Sequence, residues 1–512
     1  MKKFILITMV ALITGFMLGN TEQPTFAAGN AKSGGILKIN MGRTADIIGN
    51  PLKIRGANTE YARIPLESLL QHSPNEPGKL IPMLATSWEL TPDQSRYILK
   101  LRRDVKFHDG TAFNAQAVKW NLDKWLESKS PIFEDVASID IIDEDTVQIN
   151  LSKWNNQMLY NIDNGSTYMI SPTAFEKNGE DWANYNPVGT GPFKLVEFKR
   201  KVILKFEKFK DYYKEGLPLL DGLQFSQIVD PMTAMASLKR GELDAWMSVD
   251  PISASELVKE GKWQIDTANG PGFFLTYNSV DPESPFYKQE VREALEYAID
   301  RDRIAELSGR GFRKGVRTII YGLDYKKAGT TPREYNPDKA KQLLKEAGYP
   351  NGFKLKLFFQ SPNERDSAVA FQGYLKEVGI EAKLEAVAGA GWHGKAYTPS
   401  ENGELLYGWL RPNPSSLKAA NLNMVKGAWP LLQRIKRPDA LDAILDQAFS
   451  EPDIDKAVQH LYRAEKLVYD FAMFCPILFR QAITIKAPYV KDAIYGYGFM
   501  TRFNLERAWL DK

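Results

Sequence analysis

Along the chain, short stretches where apolar and polar residues alternate are interleaved with stretches where apolar residues return every third or fourth place. Strands and helices therefore take turns from end to end. Ile36, Leu37 and Ile39, entered through Gly34-Gly35, read as a first strand, and Tyr97, Leu99 and Leu101 alternate with Ile98, Lys100 and Arg102 in another. After the Asp109-Gly110 turn, Asn114 is placed to cap a helix with Val118, Leu122 and Trp125 on one face, and Thr146 to Leu151 alternate again as a strand.

The pattern is sharpest between Asn336 and Ala386. Asn336 is an N-cap followed by Pro337 at the first helical position; Ala340, Leu343, Leu344 and Ala347 share a face, and Gly348 with Pro350 ends the helix. A strand on Phe353, Leu355 and Leu357, a helix from Ala368 to Val378, a Gly379 stop and a strand on Ile380, Ala382 and Leu384 then make a βαβ crossover. Upstream, Val291, Ala294, Leu295, Ala298 and Ile299 form one helix face. The expected class is mixed α/β with more than one sheet. Gly270-Pro271-Gly272, between two patterned halves, is the expected interdomain crossing.

At 512 residues the chain is too long for one core, so two or three domains are expected. Lys plus Arg number 66 and Asp plus Glu 63, a balance with no general pull on nucleic acid or anionic membrane. The lone cysteine, Cys475, excludes an internal disulfide and a cysteine-rich metal cluster. Lys2 and Lys3, the uncharged run from Phe4 to Leu18, and Thr25-Phe26-Ala27 read as a secretory signal peptide over 1–27, cleaved near Ala27 or Ala28. No cysteine near that point could carry a lipid, so a free extracytoplasmic or periplasmic protein is expected.

Five motifs then carry a resemblance: Leu80-Ile81-Pro82-Met83-Leu84-Ala85-Thr86-Ser87-Trp88; the run Leu101 to Thr111 with Phe107-His108-Asp109-Gly110; Pro187-Val188-Gly189-Thr190-Gly191-Pro192-Phe193; Gly241-Glu242-Leu243-Asp244; and Val291 to Leu295 continuing to Ala298-Ile299-Asp300-Arg301. In this order they resemble the family 5 extracellular solute-binding proteins of ABC importers, the peptide, opine and nickel class. The resemblance implies a two-lobed periplasmic-binding-protein-like fold (type II, large three-domain class) with mixed sheets and a hinged cleft. Lobe I would hold 28–61, 187–269 and 486–512, with a smaller inserted domain at 62–186, and lobe II would span 270–485. It also implies a monomeric receptor without cofactor or enzymatic activity, which delivers a small solute to the permease subunits and binds no nucleic acid.

The family's cleft aromatic matches Trp409 in Leu405-Leu406-Tyr407-Gly408-Trp409. Peptide-binding members continue with an aspartate that holds the peptide ammonium, whereas here Leu410-Arg411-Pro412 follows. Arg411 suits a carboxylate through paired hydrogen bonds, so a carboxylate-bearing solute is expected: an opine, an amino-acid derivative, an organic acid or a metal chelate. A short peptide is the alternative. Further ligand candidates are Arg502 and Arg480, Tyr407, Trp392 and His393 beside Gly389, Gly391 and Gly394, and Tyr61. Ser415-Ser416-Leu417-Lys418 has the Ser-x-x-Lys spacing of a serine hydrolase but lacks its companion motifs. Gly309 to Gly315 lacks the end of a phosphate loop, and the four scattered histidines give no metal spacing.

Overall fold

The computed structural model describes residues 31–512, except 43–44, 57, 74–75, 77, 164–166, 361–363, 389, 398–402, 411–412, 429 and 494–504. The signal-peptide expectation over 1–27 lies outside the described residues, as do Arg411 and Arg502. Among the described residues no helix is long and apolar enough to cross a membrane.

One 11-stranded sheet runs through the molecule. At one end Ile36–Asn40 lies parallel to Gly222–Ser226 and Ala245–Met247, and at the other Lys354–Gln360 lies parallel to Glu381–Val387 and Glu404–Leu410. Two long antiparallel strands, Gln264–Tyr277 and Cys475–Lys486, join these ends. The first is half-exposed up to Asn269 and buried on both faces from Gly270 to Tyr277, as its apolar run Phe273-Phe274-Leu275 requires. Their register shifts between Asn269 and Gly272. A Cβ at Gly270 would stand 2.3 Å from the Arg480 carbonyl oxygen, so only glycine fits where the strands bend past each other. A separate four-stranded antiparallel sheet, Ala85–Leu90, Arg96–Leu101, Thr146–Leu151 and Val136–Asp143, stands apart with its own core of Leu99, Phe107, Val118, Trp125 and Val147. The result is the mixed α/β, two-lobed architecture with multiple sheets.

The local readings meet their elements. Asn114 Oδ1 accepts the Ala117 N–H at 3.0 Å and starts the helix Ala115–Glu127; Asn336 Oδ1 does the same for Lys339 at 2.9 Å and the helix Pro337–Glu346. The crossover sets Leu355 beside Ala382 and Leu357 beside Leu384. Leu357, Phe371, Leu344, Leu295 and Leu275 form one core of this end of the sheet, and Leu406, Leu417, Leu461 and Phe474 form the core on its other face. Cys475, opposite Leu275, is fully buried, and burial pushes its thiol up to about 12.

Candidate functional site

A cavity of about 830 Å³ opens between the body of the four-stranded sheet and the far end of the large sheet. Trp88, Leu90, Tyr97, Trp154, Leu159 and Tyr160 wall it on one side. Pro414 to Leu417, Pro452, Ile454 and Val458 face them, and Asn269, Tyr321 and Gly322 close it beside the crossing strands. Alternation in Ala85–Leu90 turns Trp88 and Leu90 to the same face, and the Trp154 indole N–H donates to the Tyr97 hydroxyl at 3.0 Å, which fixes both rings. Burial pushes the Tyr321 phenol up to about 12.

Opposite the rings lies a helix end. Ser415 caps the helix Ser416–Met424: its hydroxyl oxygen accepts the Lys418 N–H at 3.3 Å, and Ser415 and Ser416 both line the cavity. The first-turn N–H groups and the positive end of the helix dipole thus lie at the wall. Among the described lining residues the only charged side chain is Lys79, exposed and paired with Glu76 at 2.7 Å, and there is no aspartate or glutamate.

The two bodies touch along the rim of the cavity. The Tyr160 hydroxyl donates to the Gly78 carbonyl at 3.0 Å, and Tyr160, Gly78 and Ser415 all line the cavity. Gly78 has φ of 84°, and a Cβ there would stand 3.3 Å from Ser415 Cα. The buried Lys418 ammonium donates to Asn161 Oδ1. The Ser-x-x-Lys pair is therefore a helix cap and a contact between bodies: the hydroxyl receives a backbone N–H, and the lysine reaches across to the other side.

The residues singled out from the sequence fall elsewhere. Trp409 is half-buried and stacks on Trp392 with ring centroids 5.7 Å apart, between the two cores. Tyr407 has no exposed surface; alternation along Glu404–Leu410 turns it inward between Phe371 and Phe273, and burial drives its phenol well above the usual range. Tyr61, on the short helix Asn58–Ala62, is likewise buried, edge-on to Phe225. As placed, the two tyrosines are packing residues. Arg480 lies opposite Arg313 on the crossing strand; its side chain is 37% exposed and stands 3.8 Å from Glu364, which Arg313 holds at 3.0 and 3.3 Å. His393 lies on the helix Ala390–Tyr397, and its side chain is outside the described residues. None of Trp409, Trp392, Tyr407, Arg480 and Tyr61 lines the cavity, although the strand carrying Trp409 leads within a few residues to Pro414 on its wall. The cavity's own aromatics come from separate segments with no shared spacing, so no periodic signal joins them; of the five family motifs only the first reaches the wall, through Leu80 and Trp88, and Ser415 to Leu417 come from the Ser-x-x-Lys run. Among the described residues no group of three or more His, Cys, Asp or Glu could hold a metal ion.

Comparison with known proteins gives the geometry its context. The glutathione-binding protein GsiB of Shigella flexneri is 34% identical over 322 residues, which cover 60% of this chain. The chain spans 61% of the length of that relative. The fold matches that of DppA from Helicobacter pylori in complex with the peptide STSA (TM-score 0.77, 24% identity, 94% of this chain and 99% of that one). It also matches AgaA from A. tumefaciens in complex with agropinic acid (0.78, 24%, 93% and 99%) and NikA from Brucella suis in complex with Fe(III)-EDTA (0.81, 22%, 93% and 100%). The description "Bacterial extracellular solute-binding proteins, family 5 Middle" matches residues 79–425. With more than half of its length matched in this way, the chain belongs to the family 5 bacterial extracellular solute-binding proteins.

Proposed function

We propose that the protein is the extracytoplasmic receptor of an ABC importer, a non-enzymatic binding protein. It closes a lobe of residues 270–485 on the lobe that carries 62–186 and delivers a small carboxylate-bearing solute to the permease. The observation that carries the solute class is the cavity wall: its described residues include no carboxylate, one lysine, and the first turn of the helix Ser416–Met424. A ligand carboxylate would gain backbone N–H groups and the dipole there, whereas an ammonium would lose its water for no opposite charge. The rings of Trp88, Tyr97, Trp154 and Tyr160 would cover the apolar body of the solute. Agropinic acid, bound by AgaA, carries a carboxylate and supports this class, whereas glutathione, named for GsiB, is a peptide with carboxylates and an ammonium and fits either reading.

A short peptide is the second reading, favoured by the aromatic wall and by the peptide STSA bound to DppA. Calorimetry separates the two. Glutathione, agropinic acid, free dipeptides, N-acetylated dipeptides and C-terminally amidated dipeptides are titrated in parallel. Acetylation should be tolerated and amidation should abolish binding. Tight binding of free-amine peptides alone, indifferent to amidation, would replace the carboxylate reading by the peptide one.

A further inference from the structure

The helix Leu441–Ser450 ends without a basic residue in its last turn, and its last carbonyls have no partner within the helix itself. A residue of the opposite body takes them. The Asn156 backbone N–H donates to the Phe449 carbonyl at 2.9 Å, and its side-chain amide donates to the Ala448 carbonyl at 2.7 Å and the Glu451 carbonyl at 3.1 Å. The orientation of that amide is set locally, because Gln157 Nε2 donates to Asn156 Oδ1 at 2.7 Å and so turns the NH2 group toward the helix end. Asn156 is 7% exposed and also lines the cavity. Its partners lie almost 300 positions further along the chain, so every one of these bonds spans the gap between the bodies.

We propose that Asn156 is a clasp: it caps the C-terminal end of Leu441–Ser450 only when the bodies are together, and it biases the receptor toward its closed form before any solute arrives. The inference rests on the reading of the protein as a two-lobed receptor and is independent of the solute's chemistry. Three hydrogen bonds made by one residue form and break as a unit, because any separation of the bodies removes all of them. A solute that binds the closed form has its apparent dissociation constant divided by the closed fraction, so weakening the clasp lowers affinity for every solute by one common factor. Asn156→Asp is the harsher change, since it sets a carboxylate against the Ala448 and Glu451 carbonyl oxygens at the negative end of a helix.

The test uses the full chain without solute. Dyes on Lys177→Cys and Lys466→Cys, both exposed positions, report the distance between the bodies in single-molecule energy transfer; Cys475 is buried. The ratio of closed to open molecules should fall about tenfold in Asn156→Ala and further in Asn156→Asp. In Gln157→Ala, which keeps every cross-gap donor but frees the amide, it should fall by less. A parent with no closed population, or the same ratio in parent and both Asn156 variants, overturns the clasp. So does loss of native circular dichroism in all three variants, which would make Asn156 a folding residue. No solute enters the measurement, so a failure of the carboxylate reading leaves this result standing, and the reverse holds too.

Discussion

The Tyr212 hydroxyl lies 2.9 Å from Glu67 and 2.8 Å from Glu506, yet it has one proton to give. One of the two carboxyls must therefore carry a proton and donate it. Lys214 holds Glu506 at 2.8 and 3.0 Å and keeps it ionised, below the usual carboxylate range despite its burial. Glu67, fully buried beside Thr190, Tyr212 and Tyr213, is pushed up to about 7, chiefly by loss of water. The proton belongs to Glu67. Because its value in the fold is above that of the unfolded chain, its contribution is whole below about pH 4.5 and is lost as pH rises through about 7. The loss amounts to roughly 3 kcal/mol at most. Glu67→Gln imitates the protonated acid, its nitrogen facing Tyr212 and its oxygen still accepting from Thr190. Urea midpoints at pH 5 and pH 8 should show the parent losing stability relative to the variant at the higher pH; parallel behaviour would refute the assignment. A second prediction at this scale concerns Arg411, chosen from the sequence because it stands where peptide binders carry an ammonium-holding aspartate. If it meets the solute carboxylate, Arg411→Ala should cost about 2 to 5 kcal/mol of binding, and Arg411→Lys less, since the charge stays but the planar fork is lost. Calorimetry with the tightest ligand of the panel reads this, and equal affinity in both variants would remove Arg411 from the site.

Elements are where the sequence was most readable. The unit from Asn336 to Val387 was legible because each boundary has a local chemical cause: a capping asparagine, a proline in the first turn, a glycine stop and an alternating strand. One tight spot tests that unit. Gly352 has φ of 70°, and a Cβ there would stand 1.8 Å from the Gly379 carbonyl oxygen, so the entrance of one strand rests directly on the glycine that stops the following helix. Gly352→Ala should destabilise the protein by roughly 1 to 3 kcal/mol or more, measured by urea denaturation. An unchanged midpoint would mean that the two loops move apart freely. The cavity wall was not legible for the opposite reason. Trp88 lies on the strand Ala85–Leu90 and Tyr160 on the short helix Met158–Asn161, while Trp154 and Tyr321 lie between elements, so no periodic pattern joins them.

At the scale of the molecule, the motifs that carried the resemblance are chiefly scaffold. His108 accepts a place in the second sheet's body by donating its backbone N–H to the Gly189 carbonyl and bonding the Gly191 carbonyl through its ring, both at 2.8 Å, so two of the five motifs hold each other. Arg292, from another, gives its guanidinium to the carbonyls of Phe286, Tyr287, Phe471 and Ala472. Such close backbone fits can be recognised in a sequence, and they set the fold rather than the solute. The cavity proposed for the solute is instead assembled across the gap, so no single segment encodes it.

Cys475 sits on one of the two strands that pass between the bodies, fully buried in the core of the far end of the sheet. A hinge motion of the proposed receptor would leave that core packed, so a thiol reagent should reach the sulfur only when the core itself comes apart. The residue is thus a built-in clock for unfolding that is blind to hinge motion. Its alkylation rate at pH 8 should track the unfolding equilibrium in urea, and Asn156→Ala, expected to shift the receptor toward its open form, should leave that rate within about threefold of the parent. Ligand should slow it only by the factor that binding adds to stability. Fast labelling of the native protein in buffer would mean that the crossing strands separate whenever the receptor opens.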